Sequence, residues 1–300
     1  MTIPAELAAF ARAQAGSALG AEVVGLEPLS SGPSSAVLLL HLAAPPRQVV
    51  LKVEGADQRI DFARTAAVCD LAGSAGVPVP QVLAVDTTRR LGPWSCLLHS
   101  HIEGSTWRVV RPQLTAEQVQ SALRQLAEAL FALQSLTFDG FGEFGSDGAV
   151  ASTSELGALH RRADLRITDD RAREVFHRLL VREAHLFGSA RATLVHDDLH
   201  WSNVVFRLGP GGPQLAALLD WDKAWAGPAE SDVARMSLWD TMTGPAFWAE
   251  YRSGVPADEG YERRSMIHQL LWCLEYDSPS ARHRADTDDL LRRLGVALGG

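Results

Sequence analysis

Apolar and polar positions along the chain fall into two regimes. Up to residue 98 the apolar runs are short and bounded by turn-forming residues, whereas from residue 114 they recur at three- and four-residue spacing. An opening helix over residues 4–15, with Pro4 acceptable in its first turn, precedes three apolar stretches at 22–29, 36–42 and 48–53. The turns SSGPSS and AAPPR divide them, a pattern that predicts consecutive antiparallel strands. Residues 58–74 predict one helix, and residues 81–85 and 94–98 predict two more strands. The first third of the chain is thus expected to be a five-stranded sheet with one main helix.

The second regime is helical. Thr115 and Gln118 make a capping-box start, and Val119, Leu123, Leu126, Leu130 and Leu133 follow at helical spacing, which predicts a long core helix. The glycine-rich stretch 138–148 reads as a loop. Further helices are predicted over residues 153–164, 169–187, 230–241, 246–252, 261–276 and 288–298. Between them lie three short apolar runs, 194–195, 204–206 and 215–219, that read as buried strands. The expected class is α+β, with a small sheet lobe and a larger, mainly helical lobe.

Chemistry concentrates in that strand trio. Residues 196–203 read HDDLHWSN, so that Asp198 is followed five residues later by Asn203, and the third run ends at Asp220, with Trp221 and Asp222 after it. Such a hairpin brings two carboxylates and a carboxamide to one sheet edge, a set of oxygen ligands that suits Mg²⁺. Two plainer readings compete. His196 and His200 are spaced as HxxxH, which on a helix could hold zinc, but the Glu of HExxH is missing. Asp198 and Asn203 could instead be turn residues, a reading that leaves their spacing to Asp220 unexplained.

Composition narrows the classes. With 300 residues, 46% of them hydrophobic, a sizeable core is within reach. A net charge of −8, from 36 acidic and 28 basic residues, disfavours a nucleic-acid partner and favours a cationic small substrate. Nothing resembles a signal peptide or a membrane span, so a cytoplasmic protein with no membrane partner is expected. Cys69, Cys96 and Cys273 are odd in number, far apart and set among apolar neighbours, as for buried free thiols.

The run HDDLHWSNVVF…LLDWDKAWAGPAESDVA resembles the aminoglycoside phosphotransferase family, small-molecule kinases of the protein-kinase-like superfamily. His200 stands where protein kinases carry Lys, and an APE-like segment after Asp220 is missing, which sets the chain apart from protein kinases. The resemblance implies a kinase-like two-lobed fold: a nucleotide-binding lobe over residues 1–98, a hinge over 99–104 and a catalytic and substrate lobe over 105–300. It implies Asp198 as the catalytic residue that meets the substrate hydroxyl, Asn203 and Asp220 as Mg²⁺ ligands, and Asp232 as a structural acid.

On the nucleotide side the resemblance implies Lys52, within VVLKVE, for the α- and β-phosphates. The turn holding Ser31, Gly32, Ser34 and Ser35 takes the place of a phosphate-covering loop, although Pro33 removes one donor and a plain hairpin turn fits as well. His99 and His101 lie in the segment expected to meet the adenine edge. In the family the lysine pairs with an acid on the next helix; here the expected position holds Arg64. Asp61 is the nearest substitute, with Glu54 or Asp57 as others.

The implied activity is transfer of a nucleotide γ-phosphoryl group, from ATP or else GTP, to a hydroxyl of a small molecule. The resemblance, together with the acidic balance, implies a cationic antibiotic, an aminoglycoside or basic cyclic peptide, as acceptor and resistance as outcome. Asp222, Glu230, Glu275 and Asp277 are the candidate acids for its ammonium groups. A metabolite kinase of the choline or amino-alcohol type would carry the same catalytic residues, and an inactive nucleotide-binding module is the reading outside enzymes.

Overall fold

The structure, a computed structural model, describes residues 3–31, 35–55, 60–276 and 279–298. Helix α1 (Ala5–Leu19) leads into β1 (Val23–Ser31), β2 (Ser35–Leu42) and β3 (Gln48–Glu54). Helix α2 (Phe62–Ser74), β4 (Val82–Asp86) and β5 (Ser95–Ser100) follow. These strands form one antiparallel sheet in the order β1-β2-β3-β5-β4.

Alternation along β3 decides what each face of the sheet does. Val49, Leu51 and Val53 join Leu38, Leu40 and Leu98 in a core closed by Leu7, Phe10, Ala11 and Ala15 of α1. Side chains of a strand alternate between faces, so Lys52 falls on the opposite face, the one turned to the rest of the molecule. Its register partners are Val37 on β2 and Leu97 on β5.

Residues 101–104 carry the chain out of the sheet to β6 (Ser105–Thr106), which pairs with a strand of the larger lobe. Gly104 has φ +141°, and a Cβ there would lie 2.7 Å from the carbonyl oxygen of Phe206. Both the conformation and the space require glycine. Gly104→Ala is expected to lower stability by about 1–3 kcal/mol, read as a shift in urea midpoint; an unchanged midpoint would contradict this packing.

The larger lobe begins with the short helix α3 (Trp107–Val110) and then α4 (Ala116–Ser135), whose capping box is complete: Thr115 and Gln118 cap each other reciprocally. Two-residue strands β7 (Thr137–Phe138) and β8 (Gly142–Glu143) fall in the stretch expected to be a loop. They pair with β9 (Ala192–Val195) and β12 (Trp225–Pro228), partners too distant in sequence, and strands too short, for periodicity to reveal. Helices α5 (Glu155–Arg166) and α6 (Asp170–Arg182) precede β9, and β10 (Val204–Gly209) and β11 (Gly212–Leu218) form the hairpin expected from the strand trio.

The chain closes with α7 (Glu230–Met236), α8 (Pro245–Gly254), α9 (Tyr261–Leu274) and α10 (Ala281–Leu294). Helix α7 is shorter than expected. Helix α10 starts earlier than expected, because Ser280 caps it by accepting the His283 amide, and stops at Gly295 in the left-handed region. The large core gathers α4, α5, α6, α9 and α10 around β9 and Trp225, and it also takes in Val68, Cys69 and Ala72 of α2. Helix α2, which the sequence places inside the smaller lobe, thus packs against the larger lobe as well as against β4 and β5 of the sheet. All three cysteines are buried and free, and no helix among the described residues is long and apolar enough to cross a membrane.

Candidate active site

The loop between β9 and β10 is braced from beneath. Asp232, buried on α7, accepts the backbone amides of His196 at 3.0 Å and Asp197 at 2.7 Å. Burial pushes the His196 imidazole down to about 4, so the ring is neutral. Its Nε2 donates to the Leu219 carbonyl at 2.9 Å, and its Nδ1 accepts the Asp198 amide at 3.2 Å. With both nitrogens engaged, His196 has no lone pair to give zinc, and His200 Nδ1 accepts the Ser202 amide. Between them Asp197 takes φ +60°, a left-handed conformation that Asp tolerates, with its carboxylate against Arg162 and Ser231.

This bracing fixes three oxygen-bearing groups. Asp198 leaves the loop with Oδ1 accepting from Arg235 Nη2 at 2.6 Å. Asn203 Nδ2 donates to the Asp198 carbonyl at 2.9 Å, which leaves its Oδ1 open. The Asn203 carbonyl accepts the Leu219 amide at 2.8 Å and so fastens the end of β11, where Asp220 follows with φ +69°, to the loop. The carboxamide oxygen of Asn203 and the carboxylate of Asp220 are hard donors of the kind Mg²⁺ takes beside phosphate oxygens, so the residues present fit that ion.

Lys52 faces the same place from the sheet. Its ammonium donates to Asp220 Oδ1 at 2.8 Å and to Asp222 Oδ2. Burial alone would lower its pKa, but the charges of Asp222 and Asp220 more than offset this and keep it protonated. Burial lifts the Asp222 carboxyl above the usual carboxylate range, against the pull of Lys52. Thr65, Cys69, Pro80, Leu97, His99 and Trp221 line a small cavity with Lys52 and Asp220. Burial holds the His99 ring neutral, at about 4, and its Nδ1 bonds the Ser100 carbonyl at 2.9 Å.

Several expected roles need correction. Asp61 does not hold Lys52: it is the N-cap of α2, accepting the amides of Ala63 and Arg64, both at 3.0 Å. Asp222 is spent on Lys52 and Thr65 and is not an acid open to an acceptor. Glu230 is buried with Glu155 and His268, and Arg264 binds both its oxygens, at 2.5 and 3.0 Å. Glu275 pairs with Lys223 at 3.2 Å and Arg166 at 3.6 Å. The reason is common to all three: each acid meets a basic partner from a distant segment that the local sequence does not display. His101 is exposed, Ser31 ends β1 and Ser35 begins β2. Gly32, Ser34, Asp57 and Asp277 lie outside the described residues.

Arg235 was not anticipated. It is 2% exposed, and its guanidinium lies 4.8 Å from the Trp272 ring centroid while bonding Asp198. The spacing of Asp232 and Arg235, three apart on one helix, was the available signal. A train of rings continues from Trp272 through Trp239 to Trp201, with His200 against Trp239.

A family model described as the phosphotransferase enzyme family matches residues 25–267. The chain belongs to this family. It is a phosphotransferase with a kinase-like fold, and the sheet lobe, helical lobe and loop described above are that fold's parts. A thermostable mutant of the aminoglycoside phosphotransferase APH(4)-Ia is similar at 21% identity and TM-score 0.65, over 95% of this chain and 97% of that one. A protein from Haemophilus somnus 129PT assigned as a fructosamine-3-kinase is similar at 17% identity and TM-score 0.66, over 95% and 96%. A streptomycin–ATP complex of APH(2")-IIa is similar at 17% identity and TM-score 0.63, over 99% and 100%. No curated protein sequence matches the chain.

Proposed function

We propose that this phosphotransferase moves the γ-phosphoryl group of ATP, or of GTP, to a hydroxyl of a small molecule in the cleft between the sheet and the β9–β10 loop. The observation that carries this reading is the convergence of Lys52, Asn203, Asp220 and Asp198, from three separate segments, on one place. Asp198 orients the acceptor hydroxyl and takes its proton through Oδ2, the oxygen that Arg235 does not hold. Lys52 meets the phosphate chain, and Asn203 and Asp220 hold Mg²⁺. When bound, the ion neutralises phosphate charge. Phosphoryl transfer needs little covalent help from protein, so positioning and charge do most of the work.

The acceptor class we favour is a cationic antibiotic of the aminoglycoside or basic cyclic-peptide kind, with resistance as the consequence. Its supports are the net charge of −8 and similar folds seen in complex with hygromycin B and ADP and with kanamycin and GDP. A metabolite kinase is the second reading, favoured by the likeness to the protein assigned as a fructosamine-3-kinase and by the pairing of Asp222, Glu230 and Glu275 with the protein's own cations. The deciding experiment follows Mg²⁺-dependent ADP or GDP release across aminoglycosides, basic peptides, macrolides, glycated amines and amino-alcohols, with mass detection of product. A phosphorylated basic antibiotic is the expected result. Turnover confined to amines or amino-alcohols would replace the antibiotic by a metabolite, and nucleotide binding without turnover on any acceptor would defeat the enzyme reading of this cleft.

A further inference from the structure

Helix α2 presents a cation, Arg64, where a lysine on β3 would be expected to find its acid. The acid that Lys52 does meet comes from the other direction, two residues beyond Asp220. We propose that Asp222 is the positioning residue for Lys52, and that Arg64 and Thr65 hold Asp222 in turn, so that helix and lysine remain coupled with the charges exchanged. This rests on the reading that the cleft binds a nucleoside triphosphate.

Five contacts support the exchange. Lys52 Nζ donates to Asp222 Oδ2, and Thr65 Oγ1 donates to Asp222 Oδ1 at 2.9 Å, so both carboxylate oxygens are directed. Arg64 Nη2 donates to the Asp222 carbonyl at 2.7 Å, which fixes the backbone beneath that carboxylate. Arg64 Nη1 is itself held 3.4 Å from Glu143 Oε2, and the other Glu143 oxygen binds Arg162. Adjacent residues of α2 thus take hold of one aspartate through its side chain and its main chain.

Lys52 has a second acid, Asp220, and the two differ in exposure. The Asp220 side chain is 43% exposed and the Asp222 side chain 13%. Asp220 is the group that a divalent cation would claim. A lysine held by Asp222 keeps its place when that happens. Without Asp222 the ammonium would fall wholly to Asp220, where it competes with the cation for the same carboxylate and is drawn off the phosphate chain.

The test measures dissociation constants for Mg²⁺·ATP and for adenosine, which has no phosphate. Asp222→Asn is nearly isosteric and keeps an oxygen for Thr65. It is expected to weaken Mg²⁺·ATP by about ten-fold, to raise the Mg²⁺ concentration needed for half-maximal ATP binding and to leave adenosine unchanged, as expected for loss of one charge-assisted contact. Adding Arg64→Glu returns an acid to α2 and should recover most of the loss, which a structural defect would not allow. Equal weakening of ATP and adenosine, no change in either, or tighter Mg²⁺·ATP binding would each overturn the role of Asp222. Lys52→Met separates this from the underlying reading: if it leaves the ratio of ATP to adenosine affinity unaltered, the nucleotide site itself is misplaced.

Discussion

Asp198→Asn should lower kcat by about three orders of magnitude, the range set by a lost general base, while ADP affinity stays nearly unchanged. The loop bracing explains why the effect falls on the chemical step. Asp232 and His196 hold the main chain around Asp198, and neither contact depends on its carboxylate. An Asn side chain still offers Arg235 an oxygen but cannot take a proton. Asp198→Ala is a different experiment. It leaves the Arg235 guanidinium buried without its closest acid, and losing one partner of a buried pair costs about 3–5 kcal/mol. Single-turnover kinetics on the Asn variant and urea denaturation of the Ala variant separate the two effects. A kcat for Asp198→Asn within the ordinary scatter of surface variants would remove Asp198 from the chemistry.

Asp232→Ala should produce the largest loss of stability among substitutions outside the apolar core. Two buried backbone amides, of His196 and Asp197, would lose their only carboxylate, at about 1–3 kcal/mol each, or about 2–6 kcal/mol together. The cost does not end there. Asp197 is held at φ +60° by its surroundings, and a released loop would relax from it and carry Asp198 away from Asn203 and Asp220. Thermal and urea denaturation give the first effect, and kcat measured below the new midpoint gives the second. Asp232→Asn keeps one acceptor oxygen and should fall between. An Ala variant with unaltered stability would mean that the two amides find other partners.

How far the sequence reveals this molecule depends on the range of each interaction. The five strands of the smaller lobe, the capping box of α4 and the β10–β11 hairpin were legible, because each rests on spacing within a few residues. The geometry of Asp198, Asn203 and Asp220 also follows from a local feature, a loop and a strand end joined by the Leu219 amide and the Asn203 carbonyl. The partners of charged groups were not legible. Lys52 and Asp222 are separated by 170 residues, and Asp198 and Arg235 by 37. No periodicity connects such pairs, so Asp222, Glu230 and Glu275 read from sequence as open acids when each is already neutralised. Strands β7 and β8 failed for another reason: two residues are too few to show alternation.

Helix α2 shares its apolar face with the larger lobe and is tied to the segment after β11 through Arg64 and Thr65. The division between the two apolar cores therefore does not follow the order of the chain. The sheet and α1 share one core, α2 contributes to the other, and Lys52 joins the two, since its bonds to Asp220 and Asp222 reach from one to the other. Its ammonium is therefore a rivet between the two cores as much as the contact proposed for the phosphate chain.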